Sequence, residues 1–227
     1  MSQNKPKNYS YIWISLIVLV FGIYVIPKIV DRFSNESIVT NDRLNRPSDQ
    51  RELREIADAP AFSFVNHKGE TIDNSYYEGK VYLVEFFFTA CPTICPIMNE
   101  NMRILDDQFY TNEQFGIASF SIDSVTDTPE VLNEYAEEIG VKSPHWNFFS
   151  GEHDLIMEFA KKYNMYAAAN PDAPGGFEHS GMFALIDKKG KIRSRLNEFN
   201  YPIVFYDGIE AEGIEMLKED IKQLLEE

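Results

Sequence analysis

The two cysteines of the chain, Cys91 and Cys95, are the residues best suited to chemistry. They lie four residues apart in TACPTICP, and on a helix this spacing corresponds to about 400°, so both sulfurs would point the same way from consecutive turns. The segment joins an apolar run to a helical pattern, where the positive end of the helix dipole favours thiolate over thiol. Two such thiolates can act as a redox-active pair that forms a reversible disulfide, or they can bind a soft ion such as Cu(I) or Zn.

A structural role for the cysteine pair is the alternative. Free cysteines are often buried in protein cores, and outside the cytoplasm the pair could form a static disulfide. The junction between a strand and a helix argues for reactive cysteines, because cysteines at such junctions gain a lowered pKa. Pro92 and Pro96 directly follow the two cysteines and are expected to stiffen the loop.

A metal ion needs further ligands, and the chain has four histidines. For His67, His145 and His153, which fall in a turn and beside a short predicted strand, we expect solvated or structural roles. His179 follows the loop segment NPDAPGGFE and precedes the apolar run MFALID, so it lies on a loop able to move at the end of a strand. Two sulfurs and one imidazole would suit three-coordinate Cu(I), or Cu(II) with a weak fourth ligand. A capping or packing role for His179 is the alternative.

Strand-like and helix-like segments alternate around these residues. The runs VYLVEFFF and FGIASFSI are apolar enough for strands buried on both faces, and the first leads directly into the cysteines. Helices are predicted after the cysteines and over PEVLNEYAEEIG, HDLIMEFAKKYNM and IEMLKEDIKQLLEE, and a hairpin is predicted around KKG. This order predicts an α/β, thioredoxin-like domain over residues 60–227, with a mostly parallel central sheet, flanking helices and an antiparallel hairpin. In such a sheet MFALID would neighbour the strand that ends at the cysteines.

The N-terminal part of the chain is predicted to be a membrane anchor. Residues 8–27 carry no charge, and as a single transmembrane helix they would span a hydrocarbon core of about 30 Å. Lys5 and Lys7 place residues 1–7 in the cytoplasm and the rest of the chain across the membrane. A cleaved signal peptide is the alternative, but neither a small-residue cleavage site nor a cysteine for lipoprotein attachment follows the apolar stretch. Residues 28–59 are predicted to be a polar linker with a short helix around residues 48–57.

The net charge of −15 is unevenly distributed along the chain. Residues 1–35 carry four basic side chains and one acidic side chain, so the remaining residues carry −18. A body this acidic is repelled by phosphate backbones, and it has no basic stripe with interleaved aromatic residues, which argues against a nucleic-acid partner. The charge could attract cations or a basic partner, although a solvated surface explains it as well.

A resemblance to a known family extends these predictions. Four segments carry it in this order: GKVYLVEFFFTACPTICPIMNENM, SIDSVTDTPEVLNEYAEEIG, HWNFFSGEHDLI and EHSGMFALIDKKGKI. They resemble the SCO/SenC family of membrane-anchored copper chaperones, which assist assembly of the CuA centre of cytochrome c oxidase. The resemblance covers about residues 61–225, and it implies that Cys91, Cys95 and His179 are the copper ligands.

Three acidic residues are further candidates for the surroundings of the metal. The resemblance matches DSVTDTP with an acidic loop of the family, here Asp123 and Asp127, and it places Glu178 where relatives usually have aspartate. We therefore expect these carboxylates to lie just outside the ligands. For Asp127 a helix cap is the alternative, because Asp-Thr-Pro-Glu is also typical of a helix start.

The resemblance implies a copper metallochaperone rather than an enzyme. Such a protein would take copper from a donor, depend on a thiol reductant, and deliver the ion to the CuA-bearing subunit of cytochrome c oxidase. The alternative is a membrane-anchored thiol-disulfide oxidoreductase or redox sensor, whose activity would survive loss of His179. A thiol peroxidase is disfavoured, because peroxiredoxins place threonine where this chain has Phe88. Because no Arg-rich transit segment is present, we expect a bacterial inner membrane with the domain in the periplasm, rather than a mitochondrial inner membrane.

Overall fold

The computed structural model describes residue 15, residues 19–26 and residues 52–227, and the chain divides into two compact units, 1–50 and 51–227. In the first unit, residues 19–26 are helical. Of the predicted anchor, residues 8–14, 16–18 and 27 lie outside the described residues. The same holds for residues 28–51 of the predicted linker. Within the part of the chain that is described, no helix combines the length and the apolar character needed to cross a membrane.

The second unit is a mixed α/β domain. Its strands are β1 (Arg54–Asp58), β2 (Ser63–Asn66), β3 (Thr71–Asp73), β4 (Val81–Phe87), β5 (Phe115–Ser121), β6 (Trp146–Ser150), β7 (Ala167–Ala169), β8 (Phe177–His179), β9 (Met182–Ile186), β10 (Lys191–Ser194) and β11 (Tyr206–Asp207). Its α-helices are α1 (Cys95–Phe109), α2 (Pro129–Ile139), α3 (His153–Lys162) and α4 (Ala211–Glu226), and a short 3₁₀ helix covers Asn74–Tyr77.

Nine strands form one sheet in the order β1-β10-β9-β4-β5-β6-β2-β3, with β11 paired to β9. The strand MFALID, β9, lies beside β4, so the predicted neighbour of the strand that leads to the cysteines is confirmed. The prediction of a mostly parallel sheet is wrong, because among the described strands only β4, β5 and β6 pair in parallel. The strands on either side enter through hairpins such as β2-β3 and β9-β10, and a hairpin always pairs antiparallel.

The centre of the sheet is buried on both faces. Every residue of β4 and β5 is buried, as expected for apolar strands covered by helices on both sides. On one face Phe120 packs against Phe149 and Phe159, and on the other face Phe87 packs against Tyr135 of α2. Burial of each such ring stabilises the fold by about 1.5 to 3 kcal/mol. This core holds β4 firmly and fixes the point from which the next loop begins.

The folded domain begins before residue 60. Arg54–Asp58 forms the edge strand β1, which pairs antiparallel with β10 and places Asp58 opposite Lys191. The helix predicted around residues 48–57 is therefore wrong for residues 54–57, while residues 48–51 lie outside the described residues. The local pattern of REIAD is too short to distinguish a strand from a helix, so the free edge of β10 determines its conformation.

The segment predicted as a mobile loop before His179 contains a two-stranded ribbon. β7 pairs antiparallel with β8, with Ala167 opposite His179 and Ala169 opposite Phe177. Gly175 and Gly176, just before β8, both have φ of +84°, a conformation that glycine adopts at little cost. The ribbon therefore replaces a flexible approach with a defined position for His179.

Candidate metal site

Three side chains from different parts of the chain converge beyond the end of β4. Cys91 lies in the loop after β4, Cys95 is the first residue of α1, and His179 is the last residue of β8. Their ligand atoms, two sulfurs and one ring nitrogen, all lie within 4.8 Å of one another, and Cys95 Sγ is 2.9 Å from His179 Nε2. The structure thus brings together the three residues predicted as copper ligands.

The two cysteines do not lie on consecutive turns of one helix, as their spacing predicted. Cys91 is outside the helix, because α1 begins only at Cys95, with Pro96 in its first turn. The sulfurs nevertheless meet, because the loop turns back over the start of α1.

The two thiols have opposite electrostatic surroundings. Burial alone would raise the pKa of Cys91, but hydrogen bonds to its sulfur from the Cys95 side chain, from Thr93 and from the backbone N–H of Cys95 outweigh burial and lower this pKa. Burial raises the pKa of Cys95, which is only 1% exposed, and its hydrogen bond to Cys91 raises this pKa further. The favourable amides of the helix start therefore act on Cys91, and Cys95 is the thiol that keeps its proton.

His179 is held as a neutral imidazole with its ligand nitrogen directed at the sulfurs. Nδ1 lies 3.1 Å from the Ser180 carbonyl oxygen, and because a carbonyl only accepts, the ring proton is assigned to Nδ1. Burial lowers the pKa of His179, although the hydrogen bond to Ser180 raises it in part. Nε2 is left with a free lone pair, which can accept the thiol proton of Cys95 or bind a metal ion.

Aromatic rings enclose the site. Cys91 and His179 line a cavity of about 130 Å³, together with Phe88, Thr93 and Phe177. The Phe88 ring meets the His179 ring edge to face, with centroids 5.9 Å apart, and it also packs against Phe177. A larger open groove of about 570 Å³ lies along α3 and β7, and none of the three ligand candidates lines it. The smaller cavity is therefore the one that gives access to the ligand candidates, through Cys91 and His179.

Asp127 lies beneath the cysteine loop and not among the ligand candidates. It is fully buried, and its carboxylate accepts hydrogen bonds from Thr89 N at 3.0 Å, from Thr89 Oγ1 and from Ser121 Oγ. The helix-cap alternative is wrong for Asp127, since Thr128 is the residue that caps α2, through Val131 N. Asp127 thus ties the exit of β4 to the end of β5.

Asp123 and Glu178 order the segments on which they lie. Asp123 Oδ1 accepts hydrogen bonds from Val125 N and Thr126 N within its own loop. The exposed Glu178 accepts hydrogen bonds from Tyr166 Oη and Asn170 Nδ2 across the ribbon. Glu178 also lines the cavity, but neither carboxylate belongs to the group of three converging side chains found in the described region.

The remaining histidines are not among the ligand candidates, although His153 lies beside Phe177 at the edge of the site. His67 is buried, and its Nδ1 accepts a hydrogen bond from Phe148 N. His145 lies between Tyr76 and Glu113 before β6, at the opposite end of the parallel strands. His153 begins α3, with its ring 6.1 Å from that of Phe177.

Sequence reasoning missed four residues that shape the site: Thr89, Thr93, Ser180 and Glu85. Thr93 carries a hydroxyl that lies 3.6 Å from Cys91 Sγ. Its place between the two cysteines in the sequence could have identified it. Thr89 acts through a tertiary contact with Asp127, and Ser180 acts through its carbonyl oxygen on the adjacent His179 ring. Glu85 is a charged residue type within a fully buried strand, which is itself a signal of function.

Comparison with known proteins identifies the family. The family model described as SCO1/SenC matches residues 50–212, well over half of the chain. The chain belongs to the SCO1/SenC family. A SCO1 protein homolog of Bacillus subtilis is 29% identical over 163 residues, which cover 71% of this chain and 79% of that protein.

Solved structures of the family share the fold. BsSco, described as having a disulfide switch and as a member of the Sco family of cytochrome c oxidase assembly proteins, matches with a TM-score of 0.64 at 27% identity, over 78% of this chain and 98% of BsSco. Arabidopsis thaliana ScoI, solved with copper bound, matches with a TM-score of 0.59 at 21% identity, over 75% of this chain and 100% of ScoI. The SCO1/SenC domain of this chain therefore has the mixed α/β, thioredoxin-like fold of Sco proteins, as predicted.

Proposed function

We propose that this SCO1/SenC protein is a copper metallochaperone that binds copper through Cys91, Cys95 and His179. The observation that carries the proposal is the convergence of two sulfurs and one imidazole nitrogen within 4.8 Å. Thiolates select soft ions such as Cu(I), and three ligands satisfy Cu(I), whereas structural zinc almost always takes four protein ligands. The copper bound to Arabidopsis ScoI supports the same cargo.

Delivery of the ion follows from the difference between the two thiols. Cys91 is 6% exposed, lines the cavity and has the lowered pKa, while Cys95 is almost completely buried. An incoming thiolate of an acceptor protein would therefore reach the ion from the side of Cys91, and the ion would pass by exchange of one ligand at a time. The acceptor is the CuA-bearing subunit of cytochrome c oxidase, in line with the description of BsSco as an assembly protein of that oxidase.

Thiol-disulfide exchange is a second activity that the asymmetric pair favours. The Cys91 thiolate would attack a disulfide of a partner protein and release one partner thiolate. Cys95 would then lose its proton and displace the second partner sulfur, which leaves Cys91 and Cys95 as a disulfide and the partner with two thiols. Two electrons pass to the partner, and a thiol reductant is needed to restore the pair. His179 is not consumed in this exchange.

The membrane setting rests on the sequence of the first 50 residues. Residues 8–27 anchor the protein as one transmembrane helix, residues 1–7 lie in the cytoplasm, and residues 28–53 link the anchor to the domain on the periplasmic side of a bacterial inner membrane. The uncharged stretch and the two lysines before it support this orientation. A reporter that functions only outside the cytoplasm, fused after Glu227, should be active, and activity of a cytoplasm-only reporter would contradict the orientation.

The decisive test is an anaerobic Cu(I) titration of the reduced full-length protein, kept in mild detergent, against a chromophoric competitor. We expect one Cu(I) per chain, and we expect His179→Ala to weaken binding about 10-fold or more, because a ligand is lost. His145→Ala is the matched control, since His145 lies at the opposite end of the parallel strands and should leave the affinity unchanged.

The same variants separate the two activities. If the protein competes for no Cu(I), the chaperone proposal is wrong. If His179→Ala instead retains both full copper affinity and the rate of reaction with a model disulfide, the imidazole is not a ligand. Under the proposal, His179→Ala should lose copper affinity while it retains at least part of the thiol-disulfide exchange.

A further inference from the structure

A buried carboxyl group lies in the central strand that leads to the cysteine loop. Glu85 of β4 is 0% exposed, and its Oε1 accepts a hydrogen bond from Ser119 Oγ at 2.6 Å. Its second oxygen, Oε2, has no hydrogen-bond partner, and none of the ion pairs found in the described residues includes Glu85. A buried carboxylate without a cation is costly, so a function is needed to explain an acid at this position.

The surroundings of Glu85 connect it to the metal site. Residues 85 and 87 of β4 share one face of the sheet, and Phe87 stacks on Tyr135 of α2. On that same side Asn99 of α1 donates a hydrogen bond to Tyr135 Oη, and Asn99 Oδ1 is a second buried acceptor without a partner. A charge on Glu85 acts on Cys95 of α1 and on Tyr135 of α2, raising the pKa of each.

The neighbours of Glu85 supply no positive charge. From β5 it meets Ser119, whose hydroxyl also accepts the Trp146 Nε1 hydrogen bond from β6. The titratable groups on which its charge acts are the Cys95 thiol and the Tyr135 phenol, and both are neutral when protonated. Burial raises the pKa of Glu85 to about 7, although the hydrogen bond from Ser119 lowers it in part. The carboxyl group is therefore poised to take up or release a proton near neutral pH.

We propose that Glu85 is the internal proton acceptor of the metal site and takes up one proton when copper replaces the thiol protons of Cys91 and Cys95. This inference rests on the proposed function. Before loading, two thiols and a neutral imidazole carry no charge. After loading, two thiolates and Cu(I) leave a net charge of −1, and two protons have been released. An ionised Glu85 would add a second negative charge in the same buried layer, so uptake of a proton by Glu85 avoids this repulsion.

The proton balance makes the inference measurable. Cu(I) loading of the wild-type protein releases two thiol protons, less any fraction of thiolate already present, and Glu85 takes up a proton in the molecules where it was ionised. At pH 7 about half of the molecules would have an ionised Glu85, so the wild-type protein should release about half a proton fewer than Glu85→Gln. At pH 5.5 Glu85 is already protonated, and the two proteins should release nearly equal numbers.

The experiment adds Cu(I), as its acetonitrile complex, to the reduced full-length protein in weak buffer under anaerobic conditions, and a pH indicator counts the protons. Glu134→Gln is the matched control, because Glu134 is exposed on α2, and it should behave as the wild-type protein does. Equal proton counts for the wild-type protein and Glu85→Gln at pH 7, with Cu(I) bound by both, would overturn the inference and leave the copper proposal intact. Absence of Cu(I) binding in the wild-type protein would instead contradict the proposed function.

A second measurement does not depend on the folding of a variant. The infrared difference spectrum of the wild-type protein at pH 7, loaded minus unloaded, should gain the carbonyl band of a protonated carboxylic acid. A band shifted in Glu85→Asp would assign it to this position. A difference spectrum without a gain in that band would also overturn the inference.

Discussion

The two halves of the metal site differ in how they are held. Cys91 and Cys95 follow β4, a strand in which every residue is buried and which pairs with a strand on either side. His179 ends β8, one of two three-residue strands that form a separate ribbon and are mostly half-buried. The sulfurs are thus positioned by the core, and the imidazole is positioned by a small element that depends on a few contacts. A site built in this way can keep its thiols aligned while the third ligand is released.

The largest expected effect is on the cysteine half. Asp127→Ala removes the acceptor of Thr89 N, Thr89 Oγ1 and Ser121 Oγ, and it leaves the buried Ser121 and the half-buried Thr89 without this partner. We expect a loss of about 3 kcal/mol in the free energy of unfolding, together with weaker Cu(I) binding, because the exit of β4 is released. Denaturant unfolding and the competitive copper titration measure the two effects.

Thr128→Ala is the matched control for Asp127→Ala. It removes the N-cap of α2 and should lower the free energy of unfolding by about 1 kcal/mol, while copper affinity should stay unchanged. If the two variants lost copper affinity to the same extent, Asp127 would have no specific part in holding the cysteine loop.

The next effect concerns the ribbon. Gly175→Ala forces φ of +84° on a residue with a side chain, and the new Cβ would lie 2.7 Å from Cε2 of Phe88, the ring that contacts His179. We expect the free energy of unfolding to fall by about 2 kcal/mol and Cu(I) binding to weaken by about 10-fold. Gly176→Ala has the same φ, but its Cβ meets nothing, so it should cost about 1 kcal/mol and leave copper affinity nearly intact. Equal copper affinities of these two variants would contradict the role of the Phe88 contact.

The buried His67 shows how the folded domain that holds the cysteine half responds to pH. Burial, together with the charge of Lys68, lowers the pKa of His67 from 6.5 to about 4, so the unfolded chain binds more protons than the folded chain between these values. Stability should therefore fall as the pH decreases from about 6.5 to about 4, and the part due to His67 should be absent in His67→Gln. Thermal unfolding at a series of pH values checks this, and an unchanged pH dependence in the variant would contradict it.

The smallest effect is expected at Glu178. Its hydrogen bonds to Tyr166 and Asn170 are exposed, so Glu178→Gln should change stability by only about 0.5 kcal/mol, and copper affinity by less than about 3-fold. A loss of copper affinity as large as that of His179→Ala, measured in the same titration, would show that the Glu178 carboxylate acts on the ion directly.

Much of the fold could be predicted because the long elements carry strong local patterns. The apolar runs of β4 and β5 and the periodic segments of the four helices are such patterns. The strands that were missed, such as β1, β7 and β8, have five residues or fewer, and their pairing partners determine them. Their amino-acid sequences alone are compatible with helix, strand or loop.

The sequence by itself determined which residue types meet at the site. The cysteine spacing and the strand before it already point to Cys91 and Cys95, because these are local features. For His179 the local sequence left a packing role open, and the family resemblance added it to the ligands. Only the tertiary structure decided the tautomer of His179, the opposite pKa shifts of the two thiols, the tie from Asp127 to Thr89 and the isolation of Glu85. Burial in the fold and the local backbone conformation, which turns Ser180 O toward His179 and Thr93 and Cys95 toward Cys91, set these properties, and neither can be read from the order of residue types.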